Sequence, residues 1–214
     1  MKKFLKTFLA ILLFSTGVNF AGAQTSISQR SWKYVATQMP DSWYGSKESK
    51  AVAKNVLLYQ RNSGGWPKNI PMQKPLSDTE KAQILKDKNE PDAILDNSAT
   101  TTEMKFLARM YNNTKVEKYS QAFKKGLDYI LEAQYDNGGW PMFYPLKKSY
   151  YTHITYNDNA IVNIMEMLND INNKKPLYSF VAIDKVIAKT RIAFNKGIDC
   201  ILKTQIVVRD KPTV

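Results

Sequence analysis

The chain has 214 residues, 43% of them hydrophobic and 12% aromatic, a globular composition that excludes a disordered chain and leaves room for one domain with a sizeable core. With 31 basic and 19 acidic residues the formal charge is +12, which suits a polyanionic partner; charge alone does not choose between nucleic acid and an acidic polysaccharide. The single cysteine, Cys200, lies in an apolar run, so disulfides do not hold this fold and the residue reads as a buried, free thiol.

In chain order, residues 1–23 read as a secretory signal. Lys2, Lys3 and Lys6 give a basic start, residues 8–14 an apolar run too short for a good membrane span, and Ala21-Gly22-Ala23 a small-residue cleavage site before Gln24. A secreted or periplasmic protein is therefore expected, with no membrane span, since no later stretch is apolar enough. Export makes an acidic polysaccharide a better partner than nucleic acid, and the charges form no obvious stripe with aromatics. Residues 24–45 form an N-terminal segment, and 46–214 a helical domain.

Helical periodicity dominates that domain. Val52, Val56 and Tyr59 share a face, as do Met104, Leu107, Ala108 and Tyr111. Phe123, Leu127 and Ile130 follow, then Ile161, Ile164, Met165 and Leu168, then Phe194, Ile198, Ile201 and Leu202. Between them lie long polar connections, including Asn62-Ser63-Gly64-Gly65-Trp66-Pro67 and Asn137-Gly138-Gly139-Trp140-Pro141. In each, a helix is expected to end at the Gly pair. Structured loops on a helical scaffold are where sites are usually built.

These connections repeat. After each Gly-Gly-Trp-Pro comes an acidic signature opening a helix, Asp96-Asn97-Ser98-Ala99 and then Asn157-Asp158-Asn159-Ala160. The stretch from Gly126 to Gln134 is echoed from Gly197 to Gln205, beginning a third unit. Helix pairs of this kind cannot bury their apolar faces alone, so they stack, either as a solenoid or as a ring of inner and outer helices. In a ring, the starts of the inner helices converge and bring Asp96 and Asp158 together.

Two readings stand for Asp96 and Asp158: helix N-caps, or a hard-cation site in which facing carboxylates are joined by amide oxygens of Asn97 and Asn157. Trp66 and Trp140 are either core anchors or stacking platforms for a sugar ring, and their matched Gly–Pro setting favours the core. Lys68 pairs with an anionic substrate or is simply solvated; Met142 holds its place in the second repeat, so the repeat does not need it. His153, the one histidine, is a general base or a hydrogen-bonding fixture near the site. No Ser-His-Asp set, zinc cluster or phosphate-binding glycine loop is present in the sequence.

Taken together, Tyr59-Gln60-Arg61-Asn62-Ser63-Gly64-Gly65-Trp66-Pro67-Lys68-Asn69, Asp96-Asn97-Ser98-Ala99-Thr100-Thr101-Thr102-Glu103-Met104, and residues 126–141 and 153–165 resemble polysaccharide lyase family 10, the pectate lyases. The resemblance runs from about Trp43 to the end. It implies an all-α fold, an (α/α) toroid of repeated helix pairs, and calcium-dependent eliminative cleavage of polygalacturonate (pectate). It implies calcium (Ca2+) ligation by Asp96 and Asp158, with Lys68, Asn97 and His153 on the substrate, and a monomer when full length. It implies an arginine as base, but none of Arg61, Arg109, Arg191 or Arg209 matches that position, so no catalytic residue is assigned; the base is expected beyond Val214. As given, the chain is expected to be a partial toroid with exposed apolar faces and impaired activity. Two rivals remain: a non-catalytic binder of acidic polysaccharide, and a triterpene-cyclase-like toroid, whose Gln-Trp repeat pattern Gln134, Gly138 and Trp140 also fit.

Overall fold

The computed structural model describes residues 26–208 and 211–212, so the signal-segment reading of residues 1–23 lies outside the described residues. Seven α-helices are found among them: α1 (Trp32–Thr37), α2 (Lys47–Tyr59), α3 (Asp78–Lys86), α4 (Thr101–Thr114), α5 (Glu117–Glu132), α6 (Ala160–Asn172) and α7 (Asp184–Lys203). A two-stranded antiparallel pair, β1 (Val207–Val208) and β2 (Lys211–Pro212), follows with Val207 opposite Pro212.

The helices pack in two layers. α4 and α5 form one pair, α6 and α7 the next; α4 also meets α6, and α5 meets α7. The α4–α5 connection is only Lys115 and Val116, with Lys115 left-handed at φ 55°, which turns the chain back on itself. The predicted apolar faces of α4, α5 and α6 are buried: Met104, Leu107 and Ala108, then Phe123, Leu127 and Ile130, then Ile161, Ile164, Met165 and Leu168. α1 adds Val35 and Ala36 to the core and packs on α4, with the Trp32 ring 5.3 Å from that of Phe106.

The last helix is where expected, but only part of its expected face packs inward: Phe194 and Ile201 lie partly buried against the core. Ile187, Thr190, Ala193, Gly197 and Cys200 face inward, while Ile198 and Leu202 are exposed. Small residues lie inward because α6 and the Trp140 loop approach α7 closely. A Cβ on Gly197 would lie 2.4 Å from Met165 Sδ and 3.1 Å from the Trp140 ring. Cys200 is buried and free, as the sequence suggests. Two helices carry too little periodicity to be predicted, α1 and α3; the latter starts in a capping box built by Ser77 and Glu80.

The Gly pairs do not end the helices. α2 stops at Tyr59 and α5 at Glu132, each before its loop begins. The loop then closes on itself: the Arg61 amide donates to the Gly65 carbonyl and the Gly64 amide to the Arg61 carbonyl; Tyr135, Gly139 and Gly138 repeat the pattern. Gly64 at φ 105° and Gly138 at φ 92° press against the neighbouring helix, where an added Cβ would lie 2.4 Å and 2.0 Å from the carbonyl oxygens of Lys125 and Lys196. Gly138→Ala should therefore cost about 2–4 kcal/mol of stability in urea unfolding. Gly45→Ala, whose Cβ would meet nothing closer than 3.9 Å, should leave the midpoint nearly unchanged.

Candidate functional site

Both Gly-Gly-Trp-Pro loops run beside one segment, residues 93–95. The Ile94 amide donates to the Trp66 carbonyl at 3.0 Å, and the Leu95 amide to the Met142 carbonyl at 2.9 Å. Thr100 closes the far side, its hydroxyl accepting from the Trp66 amide and donating to the Ile94 carbonyl. Trp66 and Trp140 are themselves buried, with indole N–H groups donating to the carbonyls of Val56 and Ile130. They are core anchors, and the stacking-platform reading falls because no ring face is open to a sugar.

From this frame the chain enters a short 3-10 turn, Asp96–Ser98, and the second repeat enters its equivalent, Asn157–Asn159. The two turns pack against each other. The Asn163 side chain on α6 donates to Ser98 Oγ at 3.1 Å and ties the second unit to the first turn. Asn97, Ser98, Thr100, Asp158 and Asn159 all have positive φ, between 48° and 65°. Asn and Asp tolerate this conformation better than most residues, which accounts for their concentration here.

The helix-cap reading of the two aspartates does not survive. The residues flanking α4 and α6 are Thr100 and Asn159, and neither makes a side-chain cap. The aspartates stand ahead of them on the turns. Asp96 is 2% exposed; its Oδ2 accepts from Lys68 Nζ at 2.6 Å, and its Oδ1 is buried with no partner. Asp158 is exposed, its carboxylate accepting from the Asn157 amide at 2.9 Å. Asn97 donates to Asn69 Oδ1 at 3.4 Å. The fold thus brings together Lys68, Asp96, Asn97 and the turn of Asp158. It does not join His153 to them: its backbone N–H donates to the Tyr150 carbonyl, and its exposed side chain makes no hydrogen bond among the described residues.

The donors gathered here are oxygens: two carboxylates, one with a buried unused oxygen, and neighbouring amides. That set fits a hard cation such as calcium. Among the described residues no group of three or more His, Cys, Asp or Glu gathers around one point, so a cation held here takes its remaining ligands from amides, water or substrate.

Two arginines of the sequence reading are fixed elsewhere. Arg61 is buried and holds Asp92 with two bonds, at 2.6 and 2.7 Å; Arg109 donates to Asp41 at 2.9 Å and lies over the Tyr44 ring. Arg191 is exposed on α7, and Arg209 lies outside the described residues.

The family model for pectic acid lyase matches residues 60–214. The chain belongs to the pectic acid lyase family. Two solved structures are similar to it. One is a mutant of the family 10 polysaccharide lyase from Cellvibrio cellulosa in complex with trigalaturonic acid, 32% identical over 86% of this chain and 52% of that one, with a TM-score of 0.70. The other is the family 10 polysaccharide lyase from Cellvibrio cellulosa, 33% identical over 81% of this chain and 52% of that one, with a TM-score of 0.69. No curated protein matches the sequence. The chain thus spans about half the length of the structures it resembles, and its helix pairs are those of the (α/α) toroid. Membership of this family leaves the triterpene-cyclase reading without support.

One group the sequence reading left without a role lies behind the turns. Glu103, on the first turn of α4, is 2% exposed, accepts from the Trp32 indole N–H at 2.6 Å, and keeps Oε2 buried and unpartnered. Its signal in the sequence is an acid in phase with Met104 and Leu107 on an apolar face. Burial pushes its pKa up from 4.5 to about 7, against the opposing pull of the Trp32 bond and nearby backbone amides. The unfolded chain releases this proton first, so the contribution is complete below about pH 4.5 and is lost as pH rises through about 7. Unfolding free energy should fall by on the order of 3 kcal/mol across that interval, and Glu103→Gln should flatten this part of the profile.

Proposed function

We propose that this chain carries the calcium- and substrate-holding part of a pectate lyase that cleaves polygalacturonate by β-elimination. The observation that carries the reading is the pairing of two acidic turns, one presenting a buried carboxylate oxygen without a partner, in a chain of the pectic acid lyase family. Asp96 and Asp158 would hold calcium, with Asn97 beside them. A similar protein holds trigalaturonic acid, and the +12 charge favours such a polyanion.

Elimination removes the C5 proton of a galacturonate and expels the O4 substituent. That proton is weakly acidic while the adjacent carboxylate keeps its full negative charge; calcium, when bound, neutralises this charge and stabilises the enolate-like transition state. Lys68 would act beside it. Its ammonium already faces Asp96 and is about one-third exposed, so it can turn to a uronate carboxylate once a cation takes over Asp96. Lys68→Met should weaken pectate binding and, by leaving the buried Asp96 carboxylate without its cation, lower stability in the absence of calcium. His153, exposed two residues from Thr155, is kept as a substrate contact in this proposal.

Of the described arginines, Arg61 and Arg109 are engaged in ion pairs, Arg191 lies on the outer helix, and Arg30 lines the groove beside the turns with its guanidinium over the Tyr34 ring, so none is placed as the base. The chain by itself is therefore expected to bind pectate with calcium and to turn it over poorly. A signal peptide and export complete the proposal, since pectate is met outside the cytoplasm.

The test is equilibrium binding of polygalacturonate with calcium and with a chelator, alongside ultraviolet absorbance of the unsaturated product. Calcium should strengthen binding, and Asp158→Ala should weaken calcium affinity by about 100-fold. Equal binding in chelator, or an Asp158→Ala protein indistinguishable from the parent, would sink the calcium assignment and leave a metal-independent polysaccharide binder. Brisk turnover by the chain alone would show that a base is present among its own residues.

A further inference from the structure

A groove of about 960 Å³ opens beside the acidic turns, with Asn97, Ser98 and Ala99 at its inner end. Its walls come from distant parts of the chain: residues 28–33 on one side, the loop 69–74 on the other, and Thr102 and Glu103 of α4 between them. Three hydrogen bonds fix this shape. The Gln73 side chain donates to the Arg30 carbonyl at 2.6 Å, the Trp32 indole donates to Glu103 at 2.6 Å, and Asn97 donates to Asn69 at 3.4 Å. The groove is built before any ligand arrives, which lowers the entropy lost on binding.

Its chemistry has two parts. Arg30, Lys33 and Lys74 line it, and none is in an ion pair among the described residues. The Arg30 guanidinium is steadied over the Tyr34 ring at 4.7 Å. In the wall, two buried oxygens have no partner: Gln73 Oε1, an acceptor, and Glu103 Oε2, which accepts when the carboxyl is ionised. Buried oxygens without donors are costly, and a compact anion such as phosphate or sulfate brings more acceptors to them. A ligand with carboxylates for the cations and hydroxyl donors for the wall satisfies both.

We infer that this groove is a second, metal-independent subsite for an acidic oligosaccharide, holding uronate carboxylates at Arg30, Lys33 and Lys74 and presenting hydroxyls toward Gln73 and Glu103. It rests on the reading that the acidic turns bind pectate, and it extends the bound chain from Asn97 toward α1. The N-terminal helix is then part of the binding surface as well as of the core.

Titration calorimetry with galacturonate trimer and hexamer, with calcium and with chelator, tests this. Lys33→Ala/Lys74→Ala should weaken hexamer binding about tenfold under both conditions, as expected for lost charge-assisted contacts. Lys189→Ala/Lys196→Ala removes the same charge from α7 and should change hexamer affinity by no more than about twofold. Equal effects of the two pairs, or none from the first, would overturn the groove; the lyase reading would still stand if Asp158→Ala lost calcium-dependent trimer binding. If the unmodified chain bound neither oligomer at any calcium level, both readings would fall together.

Discussion

One glutamine amide per repeat sets where each helix pair sits relative to the next. Gln60 donates to the Gly64 carbonyl of its own loop at 2.8 Å and to the Ala122 carbonyl on α5 at 2.9 Å. Gln134 does the same to Gly138 and to Ala193 on α7, at 2.9 and 2.8 Å. An amide nitrogen has two protons, and both are spent. The tryptophan of each loop completes the joint by donating back to the helix before it and filling the notch left by Gly126 or Gly197 on the helix after it. Buried groups satisfied this fully specify one arrangement, because any shift leaves a polar atom without a partner.

With the loops fixed, the acidic turns inherit their positions. The segment before Asp96 is hydrogen-bonded to both loops, and the left-handed residues that follow present side chains which a continuous helix would have directed elsewhere. Electrostatics then favours a cation there. Asp96 is buried against Lys68 with one oxygen unused, a costly state for a carboxylate unless further positive charge arrives. The exposed Asp158 faces the opposite situation, open to solvent and free to turn toward an incoming ion.

Much of this was legible in the sequence because the repeat is written in residue types with narrow physical uses. Gly-Gly-Trp-Pro marks a loop and a core anchor, and apolar spacing marked the inner faces of α4, α5 and α6. The pairing of the acidic segments followed from repetition only for a ring of helix pairs, the closure that the family resemblance implied. The rest depended on neighbours the local pattern does not encode. On α7 Ile198 and Leu202 face outward, because close approach of α6 and the Trp140 loop requires small residues at the innermost positions. The aspartates looked like caps because they precede helices, but positive-φ residues intervene, and periodicity carries no sign of φ. Glu103 and the α1 groove were missed because their partners, Trp32 and Gln73, are brought to them only by packing.

The doubly bonded glutamines also place the outer wall and the acidic turns in series. From the Ala122 carbonyl the linkage passes through Gln60 to Gly64, along the backbone to Trp66, across to Ile94 and so to Asp96. No slack joint lies along that path. The gap between the two carboxylates is therefore only as steady as the seating of the two loops on α5 and α7, and an ion held there would act as a gauge of the wall. Rigidity of the outer layer and affinity at the inner turns are, in this architecture, a single mechanical property.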